Sequence, residues 1–360
     1  MRKGGHSLSS ESNSRTIALD AMGGDHAPGS VVAGAAQVLK KYPNTRFLIF
    51  GDENRVRPIL SKFKALESAS SVRHTDKFIR DDEKPSAALR SGKDSSMRLA
   101  IEAVEKGEAD AVVSGGNTGA LMAMAKIILR PLPGIHRPAI ASVFPGIKGE
   151  TIMLDLGANV LVDAENLVQF AVLGAVFAKA HKGVTTPSVG LLNVGSEETK
   201  GPDHVRGAAA LLAKVEFPGK YHGFVEGDDI TKGIVDVVVT DGYAGNIALK
   251  AAEGVGKMTG HFFKEALRSD PLSLLGGALA FMALRRFKKK VDPRVYNGGV
   301  FLGLNGICVK SHGGSDALGF ASALTLAVEM VKDGYIAQVA QEISHLMSQE
   351  TFLAEGAYGK

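Results

Sequence analysis

The stretch TIALDAMGGDHAP, residues 16–28, decides the fold. Its first five residues, Thr16 to Asp20, form a short apolar run that ends in a carboxylate, which is typical of a buried strand. A glycine pair follows, and Pro28 opens a helical pattern that continues to Lys41. These residues therefore predict a strand, a loop and a helix in that order.

The same alternation continues along the chain. Short apolar runs that end at polar or glycine residues predict strands at 46–50, 111–113, 151–154, 189–192 and 235–239. Helical patterns lie at 96–106 and 117–128, and a helix is expected after each later strand. Strands that alternate with helices predict an α/β fold, an open and mostly parallel sheet with helices on both faces.

The predicted domain organisation is simple. Residues 1–14 are polar and rich in Ser and Gly, so we expect a disordered arm there, and we expect a flexible tail at 349–360. Residues 15–348 are predicted to form a single α/β domain, and two lobes around one cleft would also satisfy the pattern. The expected boundary between such lobes lies at Pro145 to Gly149.

Charge and cysteine content exclude several classes of protein. The 360 residues include 42 Lys and Arg against 38 Asp and Glu, and a formal net charge of +4 is too small to indicate nucleic-acid binding. Cys308 is the single cysteine, so neither an internal disulfide nor a thiol cluster for a metal can form. We expect a protein of the reducing cytosol with no metal and no nucleic-acid partner.

Membrane spans are not expected either. The first residues lack the apolar core of a secretory signal peptide. No stretch reaches the roughly 20 apolar residues of a spanning helix, and the longest candidate, Leu272 to Leu284, contains a glycine pair. The expected location is cytoplasmic, with at most a peripheral association with a membrane surface.

The first candidate site loop follows the first strand. The backbone of Gly23 and Gly24, just before a helix, can hold an anion. Asp25 could orient His26, which would act as a general base or as a cation that binds phosphate. The alternative is that Asp25 or His26 only caps the helix.

Two further loops each precede a helix. Lys93, Ser95 and Ser96 can point at the same volume as the first N–H groups of that helix, an arrangement that suits phosphate. The alternative is an Asp94 cap beside an exposed lysine. In the loop SGGNTG, residues 114–119, free N–H groups could stabilise a phosphate or a tetrahedral oxyanion, or the loop could be a turn with a cap. Its candidate residues are Gly116, Asn117 and Thr118.

Four later segments repeat the theme of small and polar residues after a buried strand. They are 155–159, 193–201, 241–246 and 310–316. For each of them, a role in the fold alone is as well supported as contact with a substrate. The candidate residues for substrate or phosphate binding are Asn159, Asn193, Lys200, Asp241, Asn246 and His312.

Several familiar active sites are absent from the sequence. It has no phosphate-binding P-loop, no dinucleotide fingerprint after a strand and no G-x-S-x-G elbow. Cys308 lies in an apolar run, where a buried structural thiol is expected. The chain therefore lacks a nucleophile of its own. Such an enzyme fits a substrate that is itself a nucleophile, such as phosphate, because it needs only positioning and oxyanion stabilisation.

Taken together, these motifs resemble one family, the phosphate acyltransferases that make acyl phosphate from acyl-acyl carrier protein and inorganic phosphate. The resemblance runs nearly end to end, with small departures such as Gly115 in place of alanine and Tyr243 in place of phenylalanine. The motifs that carry it are DAMGGDHAP at 20–28, KDSSM at 93–97, SGGNTGA at 114–120, LDLGAN at 154–159, LNVGSEETKG at 192–201, DGYAGNIALK at 241–250 and YNGGVFLGLNGICVKSHGGSD at 296–316.

The resemblance implies a homodimer with a fold similar to that of phosphate acetyltransferases and isocitrate dehydrogenase-like enzymes. It implies no metal or nucleotide cofactor. Its expected partners are acyl carrier protein, inorganic phosphate, a membrane surface and a downstream glycerol-3-phosphate acyltransferase. Our hypothesis for catalysis is that phosphate attacks the thioester carbonyl, with His26 assisting and Asp25 orienting it. Phosphate is expected to bind at helix N-termini near Lys93, Ser95, Ser96, Asn117 and Thr118. The candidate catalytic residues are His26, Asp25 and Asn117.

The apolar run 272–284 leads into a cationic cluster, RRFKKK at 285–290. This composition is typical of an interfacial membrane anchor. It would equally dock the acidic carrier protein, or form a helix in the dimer interface with a solvated charged end. The candidate surface residues are Arg285, Arg286, Lys288, Lys289 and Lys290.

Two rival functions stay open. One is a metal- and NAD-dependent decarboxylating dehydrogenase on the same general fold, with Asp236 and Asp241 as metal ligands. The other is a membrane scaffold without activity, which leaves the many Gly-Asn and Gly-Asp loops unexplained.

Overall fold

The computed structural model describes residues 14–290, 292 and 294–349, without the side chains of 288–290. Residues 1–13 of the predicted arm and 350–360 of the predicted tail therefore lie outside the described residues. The strands are β1 (Arg15–Asp20), β2 (Thr45–Gly51), β3 (Ser70–His74), β4 (Ala111–Ser114), β5 (Ala139–Pro145), β6 (Glu150–Leu154), β7 (Ser188–Leu192), β8 (Lys220–Val225), β9 (Val237–Val239), β10 (Gly299–Leu302) and β11 (Ile307–Lys310).

Helices connect most of these strands. They are α1 (Gly29–Lys41), α2 (Glu53–Leu60), α3 (Lys64–Ser68), α4 (Pro85–Ser91), α5 (Ser96–Glu105), α6 (Thr118–Ile128), α7 (Ala164–Lys182), α8 (Asp203–Leu212), α9 (Gly227–Lys232), α10 (Gly242–Ala266), α11 (Pro271–Leu279), α12 (Phe281–Lys290), α13 (Ala317–Lys332) and α14 (Tyr335–Met347). Every strand and helix predicted from the sequence is present, with ends shifted by at most two residues.

The described strands form one eleven-stranded sheet in the order β3-β2-β1-β4-β11-β10-β5-β6-β9-β7-β8. Neighbouring strands from β3 to β11 are parallel, and so are those from β6 to β8. Between these groups the direction reverses at each of three steps, from β11 to β10, from β10 to β5 and from β5 to β6. The mostly parallel sheet is confirmed.

The three reversals have a consequence for the loops. We call β3, β2, β1, β4 and β11 the first strand group, and β6, β9, β7 and β8 the second strand group. An odd number of reversals makes the two groups point in opposite directions. Since site loops of α/β proteins follow the carboxyl ends of strands, the two groups present their site loops at opposite edges of the sheet.

Both faces of the sheet are covered, as the continuous apolar strands require. Successive side chains of β1 point to opposite faces. Ile17 and Leu19 belong to the core with α1, α7, α13 and α14, whereas Ala18 belongs to the core with α5 and α6. The centre of the sheet is therefore a rigid platform beneath the site loops.

The expected lobe boundary at Pro145 to Gly149 is wrong. These residues form the turn between β5 and β6, which pair in antiparallel fashion from Pro145 and Glu150 onward. The sheet therefore continues through this point, because backbone hydrogen bonds join the strands on both sides of the turn.

The segment after β9 differs most from a compact core. α10 has 25 residues, of which only Gly242 and Gly245 are buried, and α11 buries none. The apolar run and the cationic cluster form two helices, α11 and α12, with Ala280 between them. Among the residues with a described structure, no helix combines the length and apolar content needed to cross a bilayer.

Cys308 lies in the middle of β11 and is fully buried, as expected for a structural thiol. Burial also raises the pKa of the thiol, which keeps it protonated and unreactive.

Gly245 tests how α10 is seated on the sheet. A Cβ atom there would lie 1.8 Å from the carbonyl oxygen of Asp155, so α10 would have to move away from the end of β6. We expect Gly245→Ala to lower the free energy of unfolding by roughly 1–3 kcal/mol, the usual effect of overpacking. Differential scanning calorimetry would show this as a lower Tm.

Gly254 on the same helix is the matched control, because a Cβ atom there would have no neighbour within 4 Å. We expect Gly254→Ala to leave the Tm unchanged or to raise it, since alanine favours a helix interior. Equal losses of Tm in both variants would contradict the packing described at Gly245.

Candidate active site

The polar loops form two clusters. The first cluster comprises the loops after β1, β4 and β11 and the start of α5, with residues 20–26, 93–96, 114–118 and 310–316. The second cluster comprises the loops after β6, β7 and β9, with residues 155–159, 193–201 and 241–246. Every site residue predicted from the sequence, apart from the cationic cluster of α12, lies in one of these two clusters.

Asp20 is the centre of the first cluster. Its side chain is only 1% exposed and accepts hydrogen bonds from the hydroxyls of Ser96 and Ser114, both at 2.6 Å. It also accepts one from the backbone N–H of Met22, at 3.2 Å. Burial raises the pKa of this carboxyl, and the hydrogen bonds oppose that shift. The carboxyl thus ties β1 to α5 and β4.

Glycines let the loops of the first cluster approach each other closely. A Cβ atom on Gly23 would lie 2.6 Å from the backbone nitrogen of Gly116, and one on Gly115 would lie 2.8 Å from the carbonyl oxygen of Gly23. The backbone N–H of Asp25 donates to the carbonyl of Gly313 at 2.9 Å. These contacts lock the loops after β1, β4 and β11 together and explain why these positions hold glycine.

Lys310 lies at the end of β11, paired in register with Ser114 of β4. Its ammonium group donates to the carbonyl of Gly115 at 3.2 Å and to the carbonyl of Ser311. Burial lowers the pKa of Lys310 to about 8, although the nearby carboxylates of Asp81, Asp20 and Asp25 oppose the shift. Two carbonyl groups and three nearby carboxylates thus hold a cation under the loops.

The sequence analysis named the segment of Lys310 but chose His312 as its candidate. The backbone N–H of His312 donates to Asn297 Oδ1 at 2.9 Å, and its Nδ1 accepts from the backbone N–H of Gly314 at 3.1 Å. The available signal for Lys310 was a lysine at the very end of an apolar strand, just before a glycine-rich loop.

Three of the predicted phosphate ligands make hydrogen bonds to other groups of the chain. Ser95 is the N-cap of α5 and donates to the carbonyl of Gly92 at 2.8 Å, and Ser96 donates to Asp20. Asn117 is the N-cap of α6, and its amide donates to the carbonyls of Asp81 and Glu83. A turn with a cap therefore describes the loop of Asn117.

Other candidates in the first cluster face solvent. Lys93, Asp25, His26 and Thr118 are exposed. No hydrogen bond joins Asp25 to His26 in the described structure, and the N-cap residue of α1 is Pro28, so neither of them caps α1. The Asp94 cap is also wrong, because Ser95 is the N-cap of α5, and Asp94 pairs with Lys77 at 2.8 Å. A cavity of about 300 Å³ opens beside Gly24, lined also by Met22 and residues 78–82.

Asp155 organises the second cluster. It is fully buried, and it accepts hydrogen bonds from the backbone N–H groups of Ile140, Gly157, Ala158 and Asn159. Burial raises the pKa of its carboxyl, against these hydrogen bonds. Asn159 donates its amide to Asp155 and to the carbonyl of Pro138, so this predicted ligand holds the loop together.

The remaining residues of the second cluster lie after β7 and β9. Asn193 donates to the carbonyl of Lys200 at 3.0 Å, and the ammonium group of Lys200 pairs with Glu197 at 2.6 Å on the surface. Asn246 is exposed at the start of α10. Asp241 caps α10. Its carboxyl oxygen also lies 3.5 Å from Nε2 of His204, a residue that the sequence analysis missed, because α8 brings it in from the side.

The proposed metal ligands of the dehydrogenase alternative do not meet. Asp236 precedes β9 and pairs with Lys182 and Ser188 at the amino end of that strand, whereas Asp241 follows its carboxyl end. That pairing is therefore wrong. Within the described ranges, no group of three or more His, Cys, Asp or Glu residues could hold a metal ion.

Comparison with known proteins agrees with this arrangement. A family model described as "Fatty acid synthesis protein" matches residues 15–338. The phosphate acyltransferase of Rhodospirillum centenum is 55% identical over 332 residues, 92% of this chain and 94% of that protein. The phosphate acyltransferase of Paramagnetospirillum magneticum is 52% identical over 344 residues, 96% of this chain and 98% of that protein.

Solved structures share the fold at low identity. The EutD phosphotransacetylase from Staphylococcus aureus superposes with a TM-score of 0.57 and 19% identity, over 89% of this chain and 95% of that chain. A phosphotransacetylase from Streptococcus pyogenes gives 0.57 and 20%, over 88% and 94%. The predicted likeness to the phosphate acetyltransferase fold is confirmed.

The pKa of Lys310 leads to a test of anion binding in the first cluster. Since its pKa is about 8, the side chain carries its charge below that pH and loses it above. We expect the affinity for inorganic phosphate, measured by isothermal titration calorimetry, to fall as the pH rises through 8 to 9.5. Lys310→Arg, which keeps its charge, should bind phosphate without this fall.

Lys93→Ala is the control for the pH profile. It removes an exposed cation of the same cluster, so it should weaken binding at every pH and leave the fall in place. Identical pH profiles for the wild type and Lys310→Arg would contradict a role for Lys310 in binding the anion.

Proposed function

This chain belongs to the phosphate acyltransferase family, and we propose that it transfers a long-chain fatty acyl group from acyl carrier protein to inorganic phosphate. It is an acyltransferase of lipid synthesis, and we propose that its acyl phosphate product serves the synthesis of phosphatidic acid. Family membership over nearly the whole chain is the observation that carries the proposal. The burial of Cys308, which keeps its thiol protonated, supports it, because this thiol is then no nucleophile and phosphate supplies the attacking oxygen.

We place the phosphate in the first cluster. The N-terminus of α6 offers the exposed hydroxyl of Thr118, and Lys93 and His26 add exposed cationic or hydrogen-bonding groups around it. Lys310 lies beneath Gly115 and supplies a buried positive charge where the three loops meet. Asp20 and Ser96 shape this site rather than bind the anion, since they are bonded to each other.

The proposed reaction is a direct displacement. A phosphate oxygen forms a bond to the thioester carbonyl carbon, and the tetrahedral oxyanion is stabilised by loop N–H groups. The carbon–sulfur bond then breaks, and the carrier-protein thiolate takes up a proton. His26 is proposed to bind the phosphate or to take up its proton before attack, and it acts without Asp25, to which it is not hydrogen-bonded.

We place the thioester arm at the second cluster. Lys200 and Asn246 are exposed there, and Asn193 supports Lys200 through its backbone. The amide of Asn246 lies beside Gly157, where a Cβ atom would be 3.6 Å from its oxygen. A lysine and an amide are suitable donors for the carbonyl groups of such an arm.

We propose that α11 and α12 associate with a membrane surface. Their apolar side chains are strongly exposed, including Leu272 at 81% and Leu279 at 82%, and Arg285 and Arg286 are exposed beside them. Apolar side chains next to cations suit the surface of an anionic bilayer. The described structure covers no side chain of Lys288, Lys289 or Lys290, which continue the cationic cluster.

A homodimer is also part of the proposal. Exposed apolar side chains recur along α10 at Tyr243, Ile247, Val255, Met258 and Phe262. A continuous row of exposed apolar side chains on one helix is typical of a surface that contacts another protein chain. The proposed partners are acyl carrier protein, which delivers the acyl group, and a glycerol-3-phosphate acyltransferase, which receives it. As an alternative to membrane binding, the cations of α12 would dock the carrier protein.

The reaction itself is tested with purified protein and palmitoyl-acyl carrier protein. We expect release of the carrier-protein thiol, detected with a thiol reagent, to require inorganic phosphate and to yield acyl phosphate. His26→Ala should reduce the turnover by about 100-fold or more, the usual effect of losing general acid–base catalysis. Release independent of phosphate would refute the proposed reaction, and near-normal turnover of His26→Ala would refute the role of His26.

The membrane surface is tested by charge reversal. We expect Arg285→Glu with Arg286→Glu to reduce co-sedimentation with vesicles containing anionic phospholipid, because each cation near such a surface contributes about 1 kcal/mol. The matched control is Arg46→Glu with Lys62→Glu, two exposed cations far along the chain from α12. Unchanged co-sedimentation of the α12 variant, or an equal loss in the control, would count against the anchor.

A further inference from the structure

One segment without helix or strand borders the first cluster. It comprises residues 75–84, which connect β3 to α4. The side chain of Ile79 is only 5% exposed and belongs to the core with α5 and α6. The backbone N–H of Ser96 donates to the carbonyl of Lys77 at 2.9 Å. Segment 75–84 is therefore held against the start of α5, which is part of the first cluster.

Asn117 holds the later part of this segment in place. Its amide donates to the carbonyl of Asp81 at 2.8 Å and to that of Glu83 at 2.9 Å. Its side-chain oxygen accepts from the backbone N–H of Ala120 at 2.9 Å, which caps α6. The backbone of Asp81 is thus tied to the helix N-terminus at which we place the phosphate.

The cavity of about 300 Å³ lies between segment 75–84 and the loop after β1. Asp81 lines it from the segment, and Gly24 lines it from the loop. A Cβ atom on Gly24 would lie 3.4 Å from the carbonyl oxygen of Gly115. The ammonium group of Lys310 donates to that same carbonyl at 3.2 Å. The cavity therefore opens close to the buried cation of the first cluster.

The two carboxylates that line this cavity differ in their partners. Both oxygens of Asp82 accept hydrogen bonds from the guanidinium group of Arg80, at 3.1 and 2.9 Å. In the described structure, the carboxylate of Asp81 forms no hydrogen bond and no ion pair. Among the carboxylates near Lys310, that of Asp81 has the largest electrostatic effect on the ammonium group. A carboxylate without a partner therefore lines the cavity beside a buried cation.

Such a carboxylate affects which anion can bind. An ionised carboxylate accepts hydrogen bonds and donates none. At pH 7, every form of inorganic phosphate present carries at least one proton, so phosphate can donate a hydrogen bond to this acceptor. Sulfate has the same tetrahedral shape but carries no proton at this pH. Its oxygens therefore repel a neighbouring carboxylate without any compensating hydrogen bond.

We propose that Asp81 selects phosphate over sulfate by accepting a hydrogen bond from a protonated oxygen of the phosphate. Asp81 is then a specificity-determining residue of the transfer reaction, and the inference rests on the proposed function, which places phosphate in the first cluster. Lys310 attracts either anion, whereas Asp81 favours the anion that brings a proton. Asn117 fixes the backbone of Asp81 for this contact.

Binding of the two anions to the purified full-length protein tests the proposal. Affinities for inorganic phosphate and for sulfate are measured by isothermal titration calorimetry at pH 7, below the pKa of about 8 of Lys310. We expect the wild type to bind phosphate at least about tenfold more tightly than sulfate, the low end for a hydrogen bond to a charged group. Asp81→Asn offers an N–H donor in place of one acceptor oxygen, so it should bind sulfate nearly as tightly as phosphate.

Asp82→Asn is the matched control. Asp82 lines the same cavity, but its carboxylate is already bonded to Arg80, so this variant should keep the wild-type preference for phosphate. Both aspartates are exposed, so both variants should fold. In the thiol-release assay with phosphate, sulfate should inhibit Asp81→Asn at a concentration about tenfold lower than it inhibits the wild type or Asp82→Asn.

The possible outcomes separate this inference from the proposed function. An unchanged preference for phosphate in Asp81→Asn, or an equal loss of preference in Asp82→Asn, would overturn the role of Asp81. Equal binding of phosphate and sulfate by the wild type would overturn it as well, and phosphate-dependent thiol release would then still support the transfer reaction. A wild type that selects phosphate through Asp81 but releases no thiol would instead refute the proposed reaction.

Discussion

The buried carboxyl of Asp20 is the interaction on which the candidate site depends. Burial of a carboxylate is unfavourable unless hydrogen bonds replace its water, and here two serine hydroxyls and a backbone N–H do so. Those donors come from α5, β4 and the loop after β1 itself. The carboxyl therefore sets the distance between these elements, and the glycines at 23, 115 and 116 provide the room for it.

The reversal of strand direction at β10 and β5 is the second constraint on where the site loops lie. It lets one sheet serve two sets of loops, each at the carboxyl ends of parallel strands. The same buried-carboxyl device recurs at Asp155, where four backbone N–H groups converge on one side chain. One continuous sheet therefore carries two separate clusters of polar loops.

The helical segment from α10 to α12 differs from the two loop clusters, because no buried carboxyl holds it in the described structure. In the described structure, α10 buries only Gly242 and Gly245 and α11 buries no residue, so the stability of these helices depends on what covers them. A second copy along α10 and a membrane surface along α11 and α12 would together cover these side chains. An enzyme that handles a lipid-like product would then keep its site close to the bilayer.

By itself, the sequence determined the α/β class, the positions of the strands and helices, the site loops and the family. These follow from local patterns, because apolar periodicity and the residues at strand ends act over a few positions. The tertiary structure alone decided which polar side chains of the loops remain available to bind a substrate. Ser95, Ser96 and Asn117 are held in caps and buried bonds, and Lys310 has its pKa lowered by burial under a loop about 200 residues away in sequence. It also decided that the loops form two clusters, because the pairing of β10 with β5 and of β11 with β4 joins distant segments, which local patterns do not record.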